Sequence, residues 1–408
     1  MTQTTAVHPV PVHRSRWFVL VAFALLVACT QVLWLSFAPI SNQAHQALGV
    51  SDGAVGDLAV INPLMYVLLA IPIGRWTDRR FAIVLGAGAI CTAGGAALRL
   101  VDPTNYGWVF AGQFVLSIGQ PLVLNSTTKI AARYFRPTER TAAISVASAA
   151  QFVGILAAAM SGEALFNAGG LQLVLLVHAA VSVVAGVAVL LAVRVPASYA
   201  ADAGATPPLG WLRRDPLMWR LGALLFVGVG VFNAVATWLD KIMSDLGHRD
   251  VGGNLIAVMT VAGIVGAAVL PGAAAGRDRR RQLLTVVTLS TVVVFLAVAL
   301  LHNVYVVGVL LAVEGFFLLA GLPVALDWSE LEAGPSRAGT ATGFLLLAGN
   351  LGGVVLVLVV QAVIGNPYLA LVAMSVMAVP GVLVALRLPD HARSHLEDDG
   401  PVQEASPA

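Results

Sequence analysis

From Trp17 to Leu388 the chain alternates apolar runs with short loops that hold nearly all of its arginines. The runs lie near 17–40, 54–74, 81–100, 107–128, 141–161 and 171–193, then near 219–241, 251–275, 283–301, 304–326, 338–364 and 368–388. Each is close to the roughly 20 residues that a helix needs to cross a hydrocarbon core about 30 Å thick. Lipid offers no partner to a backbone N–H or C=O, so such runs are expected to be helical. Composition agrees, with 58% hydrophobic and 11% charged residues, where a water-soluble domain carries about 25% charged. The expected fold is therefore an all-α integral membrane bundle of twelve transmembrane helices.

Arginine placement predicts the orientation. With the N-terminus in the cytoplasm, 20 of the 23 lysines and arginines fall in cytoplasmic loops, and only Arg99, Lys241 and Arg249 lie outside. That asymmetry is the topology rule for membrane proteins. The protein is thus expected in the plasma (inner) membrane with both termini cytoplasmic. The domain plan is an N-terminal segment over 1–16, a six-helix bundle over 17–193 and a proline-bearing cytoplasmic linker over 194–218. A second bundle over 219–388 and a disordered tail over 389–408 complete it. The first apolar run is read as a retained helix, since no small-residue cleavage site follows it.

The two halves repeat. Asp78-Arg79-Arg80 recurs as Asp278-Arg279-Arg280, offset by 200, and Gln151-x-x-Gly154 recurs as Asn350-x-x-Gly353, offset by 199. Two six-helix halves related about the membrane normal predict a site between them near the midplane. Cys29 and Cys91 have no ligand or disulfide spacing and read as small buried residues. No metal, cofactor or nucleic acid is expected, and no phosphate-cradling glycine loop appears, so energy must come from gradients.

Gly74-Arg-Trp-Thr-Asp78-Arg79-Arg80 resembles the loop between helices two and three of major facilitator transporters. The resemblance implies a conformational gate at Gly74, Asp78 and Arg79, echoed at Asp278; the alternative is a set of ordinary cytoplasmic arginines. Phe81 stands where further family residues often follow. Other blocks are Trp34-Leu-Ser-Phe-Ala-Pro-Ile-Ser41-Asn42, Ser117-Ile-Gly-Gln120 and Lys129-Ile-Ala-Ala-Arg-Tyr-Phe135-Arg-Pro137-Thr-Glu139. With Gly315-Phe-Phe, Gly321-Leu-Pro323 and Gly334-Pro-Ser-Arg-Ala-Gly339-Thr they resemble the feline leukaemia virus subgroup C receptor branch of choline, ethanolamine and proposed haem transporters. In order along the chain they cover most of both halves, distantly.

That resemblance implies a quaternary ammonium held between aromatic rings, which attract a cation that cannot donate hydrogen bonds. Trp34 falls at the branch's span-one tryptophan, and Gln151 and Asn350 at its polar positions, with Asn350 one methylene shorter than the usual glutamine. Phe232 or Asn233 falls at a span-seven tyrosine, and Phe232 keeps the ring without the hydroxyl. Trp34 also suits an interfacial belt, and the amides suit interhelical bonding. Asn125 in span four is a secondary candidate. Glu314, about ten residues into span ten, is expected near the midplane, where a charge costs at least about 2.5–3.5 kcal/mol. It either neutralises a cationic substrate, carries a coupling proton, or is a protonated carboxyl between helices. His178 reads as locally hydrogen-bonded, Asp240-Lys241 as a solvated pair, and Arg99 as snorkelling to the outer interface.

The reading is a monomeric alternating-access transporter of a small organic solute, an amine or choline-like cation, whose partners are that substrate, the bilayer and a coupling proton. A proton-coupled exporter of drugs or secondary metabolites is the alternative. A non-transporting receptor lacks a signalling domain, and no clustered nucleophile and base supports an enzyme.

Overall fold

A computed structural model describes residues 15–199, 208–248, 251–301 and 303–391. The N-terminal segment before Ser15, most of the tail, and Arg14, Arg249 and Arg393 lie outside the described residues. The described structure is helical throughout. In chain order the helices are α1 (Arg16–Trp34), α2 (Ser41–Leu48), α3 (Asp52–Leu98), α4 (Tyr106–Leu124), α5 (Thr127–Tyr134), α6 (Pro137–Ala192) and α7 (Gly210–Arg214). Then come α8 (Pro216–Asp245), α9 (Gly252–Ala275), α10 (Arg280–Leu300), α11 (Val304–Leu318), α12 (Gly321–Ala333), α13 (Ala338–Val363) and α14 (Pro367–Ala385).

Ten segments among the described residues are long and apolar enough to cross a membrane. Two of them, Gly53–Leu98 and Pro137–Ala192, run to 46 and 56 residues. At 1.5 Å per residue the shorter spans about 69 Å, twice a hydrocarbon core. Both are broken in the middle: α3 at Arg80 (φ −139°, ψ 53°), and α6 at Gly169 and Gly170. Gly170 has φ +65°, a left-handed turn that glycine adopts without steric cost. Each long segment is therefore two passes, and the described residues make twelve passes.

Local sequence sets the helix starts. Pro137, Pro216 and Pro367 stand in the first turn of α6, α8 and α14, where a missing N–H costs nothing. Asn105, Asp215, Asn303 and Asn366 accept from the free N–H groups of α4, α8, α11 and α14. Spans four and ten are each interrupted, between Leu124 and Thr127 and between Leu318 and Gly321. Matched breaks in paired spans free backbone only where protein or a cavity surrounds it.

The outer faces are greasy. Val258, Val261, Val265 and Val269 recur at helical spacing on α9 and are all exposed. Exposed apolar stripes of this kind belong against lipid. Helices are held together by close backbone approach through small residues. A Cβ on Gly266 would strike the Phe316 carbonyl, and one on Gly315 the Met259 carbonyl, so α9 and α11 touch almost backbone to backbone.

Candidate functional site

A cavity lies between the six spans before the linker and the six after it, about 1080 Å³ counted out to open solvent. Trp34, Gln151, Phe232 and Asn350, the ring and amide positions expected from the sequence, all line it. Gln31, Gln120, Phe152 and Asn233 join them, and no lining residue is charged.

The rings are fixed by different means. Trp34 donates its Nε1–H to the Ala59 carbonyl at 3.0 Å, so α3 sets the plane of its indole. Phe152 on α6 and Phe232 on α8 meet edge to face, centroids 6.0 Å apart, from opposite halves. Gln151 Nε2 is buried with no hydrogen-bond partner, leaving a donor to be satisfied at the cavity wall. Asn350 donates to the Leu346 carbonyl at 2.8 Å.

The repeated Gln/Asn-x-x-Gly pattern has a packing cause. A Cβ on Gly154 would strike the Ala28 carbonyl and the Gln31 side chain, and one on Gly353 would strike the Asn233 amide. Each glycine lets a neighbouring helix approach and bring its own amide beside Gln151 or Asn350. The cavity thus receives Gln31 beside Gln151 and Asn233 beside Asn350, with Gln120 as a third amide from the first half.

Two expected site residues do not line this cavity. Asn125 is fully buried, accepts from the Tyr66 hydroxyl at 2.6 Å and donates to the Ala70 carbonyl at 2.7 Å. It ties the break after α4 to span two. Glu314 is also fully buried, and its Oε1 accepts from the Thr291 hydroxyl at 2.6 Å while Oε2 has no partner. Thr291 does line the cavity, so Glu314 stands one side chain behind the wall.

At one end of the cavity the halves are latched together. Asp78 accepts from Gly339 N at 2.8 Å, Thr340 N at 3.0 Å and the Thr340 hydroxyl at 2.5 Å. Gly339 and Thr340 are the second and third residues of α13, whose own N-cap, Arg337, makes no side-chain cap bond. Asp78 therefore caps α13 from the opposite half, where a carboxylate also meets the positive end of the helix. Lys129 stands 3.4 Å from Asp78 and donates to the Pro335 carbonyl at 2.8 Å. Thr128 donates to the Ala338 carbonyl at 3.0 Å and meets Thr342 at 2.6 Å. Gly74 permits the contact, since a Cβ there would lie 2.7 Å from the Gly339 carbonyl.

The expected echo at Asp278 takes another form. Asp278 bonds Arg280 and His391, both within the second half. Asp327 on α12 crosses to the first half, where it accepts from the Thr141 hydroxyl at 2.6 Å, and it also accepts from Arg280 Nε at 2.7 Å. Glu330 adds an ion pair to Arg140 at 2.8 Å. At the start of α6, Pro137 removes one N–H, and Glu139 accepts from Arg136 N. Arg79 is exposed at the surface.

Two further expectations change. Arg99 does not reach an interface; it is fully buried and bonds Ser36 and Gln113. Lys241 pairs with Asp245, one turn along α8, while Asp240 accepts from Gly252 N. His178 has the local bond expected of it, to Ser36 at 3.0 Å.

A twelve-pass helical bundle with an uncharged central cavity and a latch at one end defines a polytopic membrane transporter. Residues 17–357 match the family model Major Facilitator Superfamily, and the chain belongs to that family. It is a transporter, not an enzyme, and an integral multi-pass membrane protein. Distant relatives include Solute carrier family 49 member A3 of Danio rerio, 27% identical over 86% of this chain and 79% of its own length. The Homo sapiens Choline/ethanolamine transporter FLVCR2 is 24% identical over 88% of this chain and 73% of its own. These relatives lie in the branch named from the sequence blocks. The crystal structure of the E. coli Fucose:proton symporter superposes with a TM-score of 0.75 at 15% identity, covering 91% of this chain and 99% of that one. A bacterial homologue of the iron transporter ferroportin gives 0.74 at 14%, covering 92% and 99%.

Proposed function

We propose that this transporter carries a small organic amine, choline-like in its head group, by alternating access. The observation that carries the reading is the lining: Trp34, Phe152 and Phe232 supply three aromatic rings, and amides line the cavity with them, with no charged side chain among them. A methylated ammonium needs negative ring faces more than hydrogen-bond acceptors. The unpartnered Gln151 amide would take a polar tail such as a hydroxyl. The relatives whose printed names include choline and ethanolamine support the same class. With arginines kept inside, the latched end faces the cytoplasm, both termini are cytoplasmic, and the cavity is reached from outside. Rocking of 17–193 against 219–388 would then exchange this latch for one at the other end. Asn125 serves as a brace for that motion.

Binding of labelled choline to the purified protein tests the reading, with ethanolamine and a neutral isostere as competitors. Saturable binding displaced by the amines and not by the isostere is expected; displacement by all three equally contradicts it.

Glu314 supports a second reading, proton-coupled export of a larger hydrophobic cargo. A buried carboxyl one residue behind the wall, bonded through Thr291, suits a group that changes protonation as the cavity changes shape. Counterflow of a lipophilic cation driven by an imposed pH gradient, without competition by choline, favours it.

A further inference from the structure

Arg99 is fully buried at the end of α3, in a part of the first half that does not line the central cavity. Its Nη1 donates to Ser36 Oγ at 3.3 Å and to Gln113 Oε1 at 3.1 Å. The guanidinium carbon lies 5.8 Å from the centre of the Phe37 ring. Nε and Nη2 have no acceptor, and no carboxylate among the described residues pairs with them. A buried cation without a counter-ion is among the least favourable arrangements in a protein.

The neighbours do not resolve the charge. Gln113 spends its amide nitrogen on the Leu33 and Leu58 carbonyls, so only its oxygen is left to face Arg99. His178 meets Ser36 through Nδ1, and its Nε2 is buried without a partner. Ser36 already donates its hydroxyl toward the Val32 and Leu33 carbonyls at 3.1 Å, so His178 donates from Nδ1–H, and its Nε2 is an acceptor that neither Nε nor Nη2 of Arg99 reaches. The negative ends of α1 and α3 lie close by and offset part of the charge, yet they give Nε and Nη2 no acceptor.

We propose that Arg99, with Ser36, Gln113 and His178 around it, binds a small monovalent anion of chloride size. An anion supplies the missing acceptor and the missing charge together, whereas a water supplies only the first. Full enclosure of the guanidinium limits the ligand to a few atoms. The site lies just beyond Trp34 along the chain, so its occupant also fixes the end of α1 that presents that ring. It is independent of the substrate reading above.

The test compares the melting midpoint of the purified protein in sodium chloride, nitrate and gluconate at constant ionic strength. Expected is a saturating rise with chloride and nitrate, none with gluconate, and loss of the rise in Arg99→Gln. Equal midpoints in all three salts, or a rise retained in Arg99→Gln, overturns the proposal. Should Arg99→Gln not fold, bromide-soaked crystals of the unsubstituted protein decide: an anomalous peak beside Arg99 is expected, and its absence at saturating bromide overturns the site.

Discussion

Thr340 donates both its backbone N–H and its hydroxyl to one oxygen of Asp78, a residue 262 positions earlier in the chain. The acid completes a helix whose own N-cap residue cannot, and it does so only while the two halves are together at that end.

Asp78→Asn should therefore open the latch. Hydrogen bonds to a charged group contribute about 1.5–3 kcal/mol each, so losing the charge should shift the closed population by about tenfold or more. A single cysteine at Thr342, in a background without Cys29 and Cys91, reports it by its rate of labelling with an impermeant maleimide. Faster labelling in Asp78→Asn is expected; an unchanged rate means that the cap does not hold the halves together.

Gly74→Ala should slow transport without preventing folding. The added methyl would sit 2.7 Å from the Gly339 carbonyl and 3.0 Å from Thr340 Cα, and overpacking of this kind costs about 1–3 kcal/mol. The cost falls on the latched state alone. Turnover measured at wild-type abundance should drop, and turnover equal to wild type would place the close contact outside the cycle.

Asp327 and Asp278 should separate cleanly. Asp327→Ala leaves the mostly buried Arg280 without its 2.7 Å partner, and breaking a buried pair costs about 3–5 kcal/mol. Asp278 is 40% exposed, and exposed pairs contribute about 0–1 kcal/mol. Thermal unfolding in detergent should show a large drop for Asp327→Ala, partly recovered by adding Arg280→Met, and little change for Asp278→Ala. Equal drops would restore the repeat-based assignment.

Glu314→Gln should preserve substrate binding and flatten the pH profile of transport. The carboxyl reaches the cavity only through Thr291, so its removal changes proton traffic before it changes affinity. A variant that loses binding while keeping the wild-type pH profile would instead make Glu314 a direct partner of the substrate.

The spans and the cavity amides were readable because lipid and close helix packing leave a periodic trace. A twenty-residue apolar run has one use, and the offset of 199 between Gln151 and Asn350 repeats a packing unit, an amide with a glycine one turn on. The same offset relates Thr141 to Thr340, the two hydroxyls that meet acids across the latch. Asp327 was missed because span ten was expected to end at Leu326, one residue short, and because Asp278 had the better local match. Arg99 was misread since a span-end arginine usually reaches the interface. Only the three-dimensional neighbours, Ser36 and Gln113, turn it inward. Glu314 is buried, and its facing toward Thr291 and not the cavity depends on helix rotation, which hydropathy alone does not fix.

Uptake of labelled choline into proteoliposomes, measured for the wild type, Trp34→Leu and Phe232→Leu, tests the ring-lined cavity most directly. Cation–π attraction contributes about 0.5–2 kcal/mol per ring, so each variant should lose about twofold to thirtyfold in apparent affinity while still folding. Absence of saturable uptake by the wild type, or equal affinity in all three proteins, would contradict the account.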